Sequence, residues 1–322
     1  MQINELPTAL KPSRSLEPGP VVKVMMDLTI YFDGPTLEEF EYLLDLYEAL
    51  CPAERLREFK IDEIPIWSQI EDPLLTIHGR AAAAAGIARP YFEPVRERIQ
   101  QGRAFEAQYW DGIELDEPEG SWSFKCGRIH LRTQGHFGFA RVLLPLDTDC
   151  RLLLRLACDM SEHVSFHSGH GGLVFAYDPT FLDEAFDEIY AKARRFWAVD
   201  IESIDDTLPL TRRGIKAVNW ITLIGHDFIW APEAARAVDK LADTSQVTTI
   251  PRSQGTVFVA GSNPVTGDRN RPSAELAPYF AVANALAPLF LDDHHDFPGE
   301  RFPTNGNTVG WLRRFVDPDG WS

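Results

Sequence analysis

The stretch HVSFHSGHGG (residues 163–172) places three histidines within eight positions and ends on two glycines. His163 and His167 are four residues apart, so a helix would present both imidazoles on one face, as a zinc site requires. The glycines could instead let backbone amides approach a phosphate, as in nucleotide-binding loops. In a third, structural interpretation, the segment only connects a helix to a buried strand.

The residues around the histidines favour the structural interpretation. The serines and glycines between positions 165 and 172 predict that the preceding helix ends near Val164. No cysteine or carboxylate stands nearby at a recognised ligand spacing, and the apolar run LVF, not a lysine, follows the glycines. We therefore predict that His163, His167 and His170 form a polar rim before a central strand and hold no metal.

Two further clusters carry residue types that could perform chemistry. In DDHHDF (292–297), solvated loop acids are the expectation and divalent-cation binding is the alternative. FLDEAFDEIY (181–190) carries four carboxylates, but its apolar residues predict an amphipathic helix with a solvated acidic face. The chain lacks a nucleophile elbow and a dinucleotide-binding glycine fingerprint. We predict no catalytic residues, no cofactor and no enzymatic activity.

The charge balance limits the partners of the protein. Its 322 residues include 48 acids and 31 lysines and arginines, which gives a net charge of −17. This charge opposes binding to nucleic acid or to an anionic membrane, and it favours encounter with a basic partner. The alternative is that the excess of acids only keeps the chain soluble.

Composition also predicts a cytoplasmic protein. The longest apolar runs, ARVLLPL and RLLLRLA, are too short to span a bilayer, and the first twenty residues lack the apolar core of a signal peptide. Cysteines without close C-x-x-C spacing are expected to be free, buried thiols in a reducing compartment. The four are Cys51, Cys126, Cys150 and Cys158.

Hydrophobic periodicity predicts an α+β fold rich in antiparallel pairing. We divide the chain into an extended lead-in (1–20), an N-terminal half (21–200) with an insertion at about 51–120, and a C-terminal half (201–322). The two halves could form one compact unit. Without its insertion the first half is predicted as β-α-β-β-α-β, with a capping box at Thr36, a hairpin turned at Gly135 to Gly138, and GGLVFAYDP as a buried central strand.

A similar order is predicted for the second half. IKAVNWITLIG is a predicted strand, APEAARAVDKLADT a helix, VTTI with TVFVAG a hairpin, SAELAPYFAVANALAPLF a helix, and NTVGWLRRF (307–315) the closing strand. Two ferredoxin-like split βαβ units in tandem would produce this order.

Two apolar segments, GHGGLVFAYDP (169–179) and RRGIKAVNWITLIG (212–225), resemble the hallmark segments of the TsiV-type immunity family of type VI secretion systems. The similarity extends from about Val21 to Phe315. It implies a cytoplasmic antitoxin against an injected toxin, and the family is associated with VRR-Nuc nucleases of the PD-(D/E)xK class. Within GIKAVNW we expect Ile215, Val218 and Trp220 to pack and Gly214 to relieve a turn, so that this segment is structural.

An acidic loop after residue 108 is the predicted effector-binding site. Aromatic residues bordered by charge are typical of interface hot spots, and binding residues gather on loops. The predicted residues are Tyr109, Trp110, Asp111, Glu114, Asp116, Glu117 and Glu119. The acidic helix faces at 38–48 and 183–206 are rival docking surfaces. The alternative function is an enzyme, or a small-ligand or metal-binding protein, with its site near the histidines at 163–170.

Overall fold

The computed structural model describes residues 6–11, 22–52, 55–62, 68–70, 91–113, 120–131, 135–229, 232–242, 244–271 and 274–321. The chain forms two compact units. The inserted unit is Thr29–Pro145, and the flanking unit is Met1–Leu28 with Leu146–Ser322. These boundaries differ from the predicted halves 21–200 and 201–322, whose status as folding units stays a prediction.

Among the residues that the structure describes, the inserted unit consists of antiparallel strands and two helices. Its elements are β1 (Val22–Phe32, of which Val22–Leu28 lies in the flanking unit), α1 (Leu37–Leu50), β2 (Glu58–Ile61), β3 (Ser68–Gln69), α2 (Glu93–Gln100), β4 (Phe105–Trp110), β5 (Ser123–Leu131) and β6 (Gly135–Leu144). The strand order is β1-β6-β5-β4-β2-β3. The pairs from β6 to β3 are all antiparallel.

Helix α1 begins where the sequence predicts it. The Glu39 N–H donates to Thr36 Oγ1 at 3.2 Å, and the Thr36 N–H donates to Glu39 Oε2 at 2.8 Å, which confirms the capping box. The apolar side of the helix, from Phe40 to Tyr47, is buried. Tyr47 stacks on Phe124 of β5 with ring centroids 5.5 Å apart. The helix therefore covers one side of an aromatic core.

The flanking unit contains the other α-helices and strands of the described ranges. They are α3 (Cys150–His163), β7 (Ser168–Tyr177), α4 (Leu182–Ala193), β8 (Val199–Ile201), α5 (Ile204–Thr207), β9 (Ile221–Gly225), α6 (His226–Ile229), α7 (Pro232–Ala242), β10 (Val247–Arg252), β11 (Gly255–Ala260), α8 (Ala277–Leu286) and α9 (Asn307–Leu312). The strand order is β10-β11-β9-β7-β1, and β8 pairs with β7 in parallel. The pairs β10–β11, β11–β9 and β9–β7 are antiparallel.

These elements confirm the α+β class and much of the predicted order. Outside the insertion, the first half runs β1-α1-β5-β6-α3-β7, as predicted. The segment GGLVFAYDP lies in β7, whose residues from Ser168 to Ala176 are buried. The predicted hairpin near residue 250 is the pair β10–β11. All four cysteines are free and buried, which confirms that expectation.

Three local predictions are wrong. NTVGWLRRF forms helix α9 instead of a closing strand, since its buried residues Thr308, Trp311 and Leu312 follow a helical spacing. The strand predicted from residue 215 begins only at Ile221. Gly135 and Gly138 lie within β6 and not in a turn; a Cβ at Gly138 would approach Gly34 to 2.5 Å, so this glycine permits close backbone contact.

None of the helices in the described ranges is long and apolar enough to cross a membrane.

Candidate functional site

A buried ionic cluster joins the two segments that resemble the immunity family. Asp200 on β8 is 2% exposed. His170 Nε2 and Lys216 Nζ each lie 3.1 Å from Asp200 Oδ2, and Lys216 also donates to the carbonyl oxygen of Ile201. His170 belongs to segment 169–179 and Lys216 to segment 212–225, so one carboxylate oxygen connects both.

Strand pairing brings together the strands that carry Asp200 and His170, and Lys216 lies in the segment that leads into β9. Strand β8 runs parallel to β7 with Val174 opposite Asp200. Strand β9 runs antiparallel to β7 with His170 opposite Thr222. The sequence reasoning missed Asp200 and Lys216. The available signal was a single charged residue inside an apolar stretch: Asp200 in AVDI and Lys216 in IKAV. A charged residue in a buried stretch indicates a partner of opposite charge, because charges are almost never fully buried unless they are paired.

Electrostatics keeps the buried carboxylate ionised. Burial raises the pKa of Asp200, but the nearby charges of Lys216 and His170 outweigh this effect and hold the pKa below its ordinary range. Asp200 Oδ1 is buried and has no hydrogen-bond partner within the described part of the chain. The two oxygens of this carboxylate therefore differ in their contacts: Oδ2 is bound by Lys216 and His170, and Oδ1 has no hydrogen-bond partner among the described residues.

A second buried cation, Arg314, lies close enough to influence the same carboxylate. Its Nε donates to the carbonyl oxygen of Trp197 at 2.6 Å and its Nη1 to that of Trp311 at 2.9 Å. The guanidinium also lies over the Trp311 ring, 3.6 Å from the centroid. Burial lowers the pKa of Arg314 to about 9. Carbonyl oxygens and an aromatic face thus replace water around this charge.

The three histidines of the opening motif have three different environments. His163 is exposed at the end of α3, with Nδ1 3.1 Å from the carbonyl oxygen of Asp159. His167 Nδ1 lies 3.2 Å from Asp227, and His170 contacts Asp200. Within the described ranges, no three His, Cys, Asp or Glu side chains are grouped to hold a metal ion. The helix ends at His163 with Val164 as its C-cap, as predicted.

The predicted polar rim is right for His163 and wrong for the other two histidines. His167 is 7% exposed and His170 is 5% exposed. For His170 the reason is that β7 begins at Ser168, earlier than the apolar run suggests, so the strand already includes this histidine.

The glycine pair of the same motif, Gly171 and Gly172, leaves room for nearby residues of other segments. A Cβ at Gly171 would lie 2.9 Å from Leu28 Cδ1 and 3.1 Å from the carbonyl oxygen of Asp27. A Cβ at Gly172, where φ is +152°, would lie 2.5 Å from Asn219 Oδ1. Gly214 likewise approaches the carbonyl oxygen of Leu289, where a Cβ would be 2.6 Å away. Gly171 and Gly172 therefore allow tight packing, as the sequence predicted. Gly214 was expected to relieve a turn, and what the structure shows there is a close approach of neighbouring backbone.

In segment 292–297 the acids Asp292 and Asp293 lie at the surface, and Asp293 pairs with a base. Asp293 contacts Arg213 at 2.8 Å, and both side chains are more than half exposed. His294 is half-buried, with Nε2 2.9 Å from Thr207 Oγ1. Burial lowers the pKa of His294 to about 4, so the ring is neutral at neutral pH.

The first residues of the predicted binding loop are part of the inserted unit's core. Tyr109 is fully buried, stacks on Phe124 at 6.0 Å, and donates to the carbonyl oxygen of Tyr91 at 3.1 Å. Trp110 is partly exposed, and its Nε1 donates to Ser121 Oγ at 2.8 Å. Trp110 is therefore the aromatic residue of this pair that a partner could reach.

Asp111 is fully buried and accepts hydrogen bonds at both carboxylate oxygens. Arg55 donates to Oδ2 through Nε (3.0 Å) and Nη2 (2.7 Å), and the Trp122 N–H donates to the same oxygen at 3.0 Å. Ser121 Oγ and the Ile113 N–H donate to Oδ1, each at 3.1 Å. Asp111 therefore fixes both ends of the loop instead of presenting a charge to solvent.

The other four predicted binding residues, Glu114, Asp116, Glu117 and Glu119, lie outside the described residues. The loop as an effector-binding site therefore stays a proposal.

The two rival acidic helices are α1 and α4. On α1, Glu38 is exposed and Glu41 is half-buried. On α4, Asp183 and Glu184 are exposed, and Glu188 pairs with Lys192 at 2.6 Å. Both helices present carboxylates at their first turn, where negative charge is favoured by the helix dipole.

The comparison with protein families identifies one family for this chain. A model of the TsiV family, described as type VI immunity for VRR-NUC, matches residues 144–315, just over half of the chain. The chain therefore belongs to the TsiV family. The ionic cluster around Asp200 and the helix α4 lie inside the matched region; the loop after Trp110 and helix α1 lie outside it.

A solved structure, the Pseudomonas aeruginosa T6SS protein PA0821, shares the fold. The TM-score is 0.68 at 18% sequence identity, and the match covers 94% of this chain and 85% of that chain. At this identity the likeness concerns the fold alone. No functionally curated protein matches the chain.

Proposed function

We propose that this chain is an immunity protein that binds a VRR-Nuc-type effector of the type VI secretion system and blocks it sterically. The observation that carries this proposal is the TsiV match over residues 144–315, whose description names immunity to VRR-NUC. The net charge of −17 supports it.

The chemistry of the target explains the charge of the inhibitor. A nuclease holds the phosphates of its substrate with lysine and arginine side chains. An acidic protein complements such a surface, speeds encounter and excludes the substrate while it stays bound. The same charge disfavours direct binding of this chain to nucleic acid or to an anionic membrane. The encounter takes place in the cytoplasm, where the DNA is.

The proposed mechanism needs no chemical step by this chain. The buried charges Asp200, Lys216 and Arg314 form a structural network, with His170 bound to the same carboxylate. The alternative, a site around the histidines at 163–170, would require those residues to act together. They contact Asp159, Asp227 and Asp200, one each. We predict that protein purified without chelators contains no stoichiometric zinc, nickel or iron; one bound equivalent would favour the alternative.

The proposal is tested with the neighbouring effector. We expect a VRR-Nuc gene beside the gene of this chain. Co-expression should restore growth to cells that produce the effector, and purified protein should abolish DNA cleavage at a one-to-one ratio. Steric inhibition predicts that the effector has an unchanged mass and regains its activity after dissociation. If the purified protein neither binds nor inhibits this effector, the proposal is wrong.

A further inference from the structure

We infer that the effector docks on the outer surface of helix α4. This inference rests on the proposed function and specifies the surface that carries it. We define the α4 face as Leu182, Asp183, Glu184, Asp187 and Glu300. Its occupant is a protein that presents lysine and arginine side chains, as the phosphate-binding side of a nuclease does, together with an apolar contact for Leu182.

The first observation is an unpartnered apolar side chain. Leu182 is 38% exposed, and among the described residues it is the one large hydrophobic side chain that is exposed. It occupies the first position of α4 and is followed directly by Asp183 and Glu184, both exposed. An apolar residue ringed by charge has the composition of an interface hot spot with a polar rim.

The second observation is that the carboxylates around Leu182 are held in place. The Gly299 N–H donates to Asp183 Oδ1 at 3.3 Å, and the Glu300 N–H donates to Asp187 Oδ1 at 3.0 Å. These two bonds connect the helix to the segment that carries Glu300. Side chains that are already ordered lose less conformational entropy when a partner binds.

The inner side of α4 makes this surface rigid. Ala185, Phe186 and Ile189 are buried, and Phe186 packs against Phe297 and Phe302 with ring centroids 6.1 Å apart in each case. The helix therefore cannot rotate its acidic side inward without breaking an aromatic core. A docking surface on a rigid helix also retains its geometry better than a surface on a loop.

The third observation is charge. The first two turns of α4, LDEAFDE, contain four acids and no base. Lys192, the nearest base on the helix, pairs with Glu188 at 2.6 Å on the next turn. The α4 face thus presents carboxylates to a cationic partner, and charge complementarity selects a basic protein.

Position in the chain separates the three acidic surfaces. The α4 face lies within residues 144–315, the region that the chain shares with its family. The loop at 111–119 and the acids of α1 lie outside that region. If the members of the family bind the same type of effector, we expect the binding surface to lie in residues 144–315, which match the family model.

The test compares matched charge reversals on the three surfaces. The variants are Glu184→Lys with Glu300→Lys on the α4 face, Glu38→Lys with Glu41→Lys on α1, and Asp116→Lys with Glu117→Lys in the loop. The probe is the neighbouring VRR-Nuc domain, inactivated at its catalytic site, and association and dissociation rates are measured at low and high salt. Glu184→Gln with Glu300→Gln and the melting temperature of every variant separate binding from folding.

We expect the α4 reversal to slow association about tenfold at low salt and to reduce its salt dependence. The glutamine pair should give a smaller change in the same direction, and the α1 pair should bind like the wild type. Leu182→Ala should raise the dissociation rate about fivefold or more with little effect on association.

Other results would overturn the inference. If folded α4 variants bind with wild-type rates while the wild type neutralises the effector, the α4 face is not the docking surface and the proposed function stands. If only the loop variant or only the α1 variant slows association, the effector docks on that surface and not on the α4 face. If the wild-type protein does not bind the effector, both the inference and the proposed function fail.

Discussion

Asp111 in the inserted unit and Asp200 in the flanking unit are both buried and both pair with a cation, but their surroundings differ. Asp111 in the inserted unit accepts five hydrogen bonds, shared between its two oxygens. Asp200 in the flanking unit has Lys216 and His170 on one oxygen, and its other oxygen has no hydrogen-bond partner in the described ranges.

The difference shows two uses of a buried carboxylate. Asp111 is satisfied mainly by backbone N–H groups and by Arg55, whose side chain is 21% exposed, so it fixes the shape of a loop base. Asp200 balances Lys216, whose side chain is 2% exposed and whose charge water cannot stabilise. Removing the first carboxylate should release a loop, and removing the second should leave a charge in the core.

The largest effect is expected for Asp200→Ala. The substitution leaves the buried ammonium of Lys216 without its counter-charge, which typically costs about 3–5 kcal/mol of unfolding free energy. Urea unfolding measures this loss. The exposed Asp205→Ala is the matched control and should change stability by less than about 0.5 kcal/mol. Equal stability of both variants would mean that the cluster does not support the fold.

Asp111→Ala should cost less, about 2–4 kcal/mol. Arg55 can turn toward water, but the Trp122 N–H and the Ser121 hydroxyl lose their acceptor. Proteolysis in the loop should become faster, because both loop ends lose their attachment. A loss of stability larger than that of Asp200→Ala would reverse the comparison between the two aspartates.

The asparagine variants sharpen the comparison. In Asp111→Asn, either orientation of the amide places its NH₂ group against donors, so the loss should approach that of Asp111→Ala. In Asp200→Asn, the NH₂ group can occupy the position of Oδ1, where no donor lies within the described chain, and the oxygen can still accept from Lys216. This variant should therefore recover about 1–2 kcal/mol relative to Asp200→Ala. If the asparagine variant recovered the same share of the alanine variant's stability loss at both sites, the lack of a hydrogen-bond partner at Asp200 Oδ1 would have no effect on stability.

The smallest effect concerns acid sensitivity near Asp200. His294 has a pKa of about 4 in the folded chain, against about 6.5 when unfolded. The unfolded state therefore binds more protons between about pH 6.5 and pH 4, and stability is lost as the pH falls through this window. Between about pH 7 and pH 5, the free energy of unfolding should therefore decrease by about 1–2 kcal/mol less in His294→Gln than in the wild type. Unfolding titrations at both pH values measure it, with the exposed neighbour His295→Gln as the control.

Asp200 adds a second loss at lower pH. Its pKa is depressed in the folded chain, so the stability it contributes is present above its unfolded pKa of about 3.9 and is lost below it. The fall in stability below about pH 4 should accordingly be shallower in Asp200→Asn than in the wild type.

Local patterns predicted the elements well where one periodicity dominated. The capping box of α1, the buried strand β7 and the hairpin β10–β11 follow directly from residue types at short spacing. Segment 307–315 was misassigned because a short apolar run fits a strand or a buried helix equally well until its neighbours are known. The ionic cluster was missed because it joins residues that are distant in the chain, and short-range patterns do not show which of them meet in the fold.

Candidate binding residues were harder to predict, since sequence shows charge but not exposure. Asp111 and Glu184 look alike as acids in polar surroundings, yet the first is fully buried and the second is exposed. Tyr109 was chosen as an aromatic contact, but buried and half-buried residues alternate along β4, and Tyr109 lies on the buried side with Phe105 and Ala107.

The glycine pair at 171–172 has a consequence for misfolding. Strands can slip by one residue against a neighbour, and a slip moves every side chain to the opposite face. In β7 such a slip would bring His170 or Leu173 to positions where a Cβ atom meets Leu28 on one side or Asn219 on the other. The glycine pair therefore disfavours a shifted register of β7 through steric overlap, independently of the ion pairs that the buried charges form.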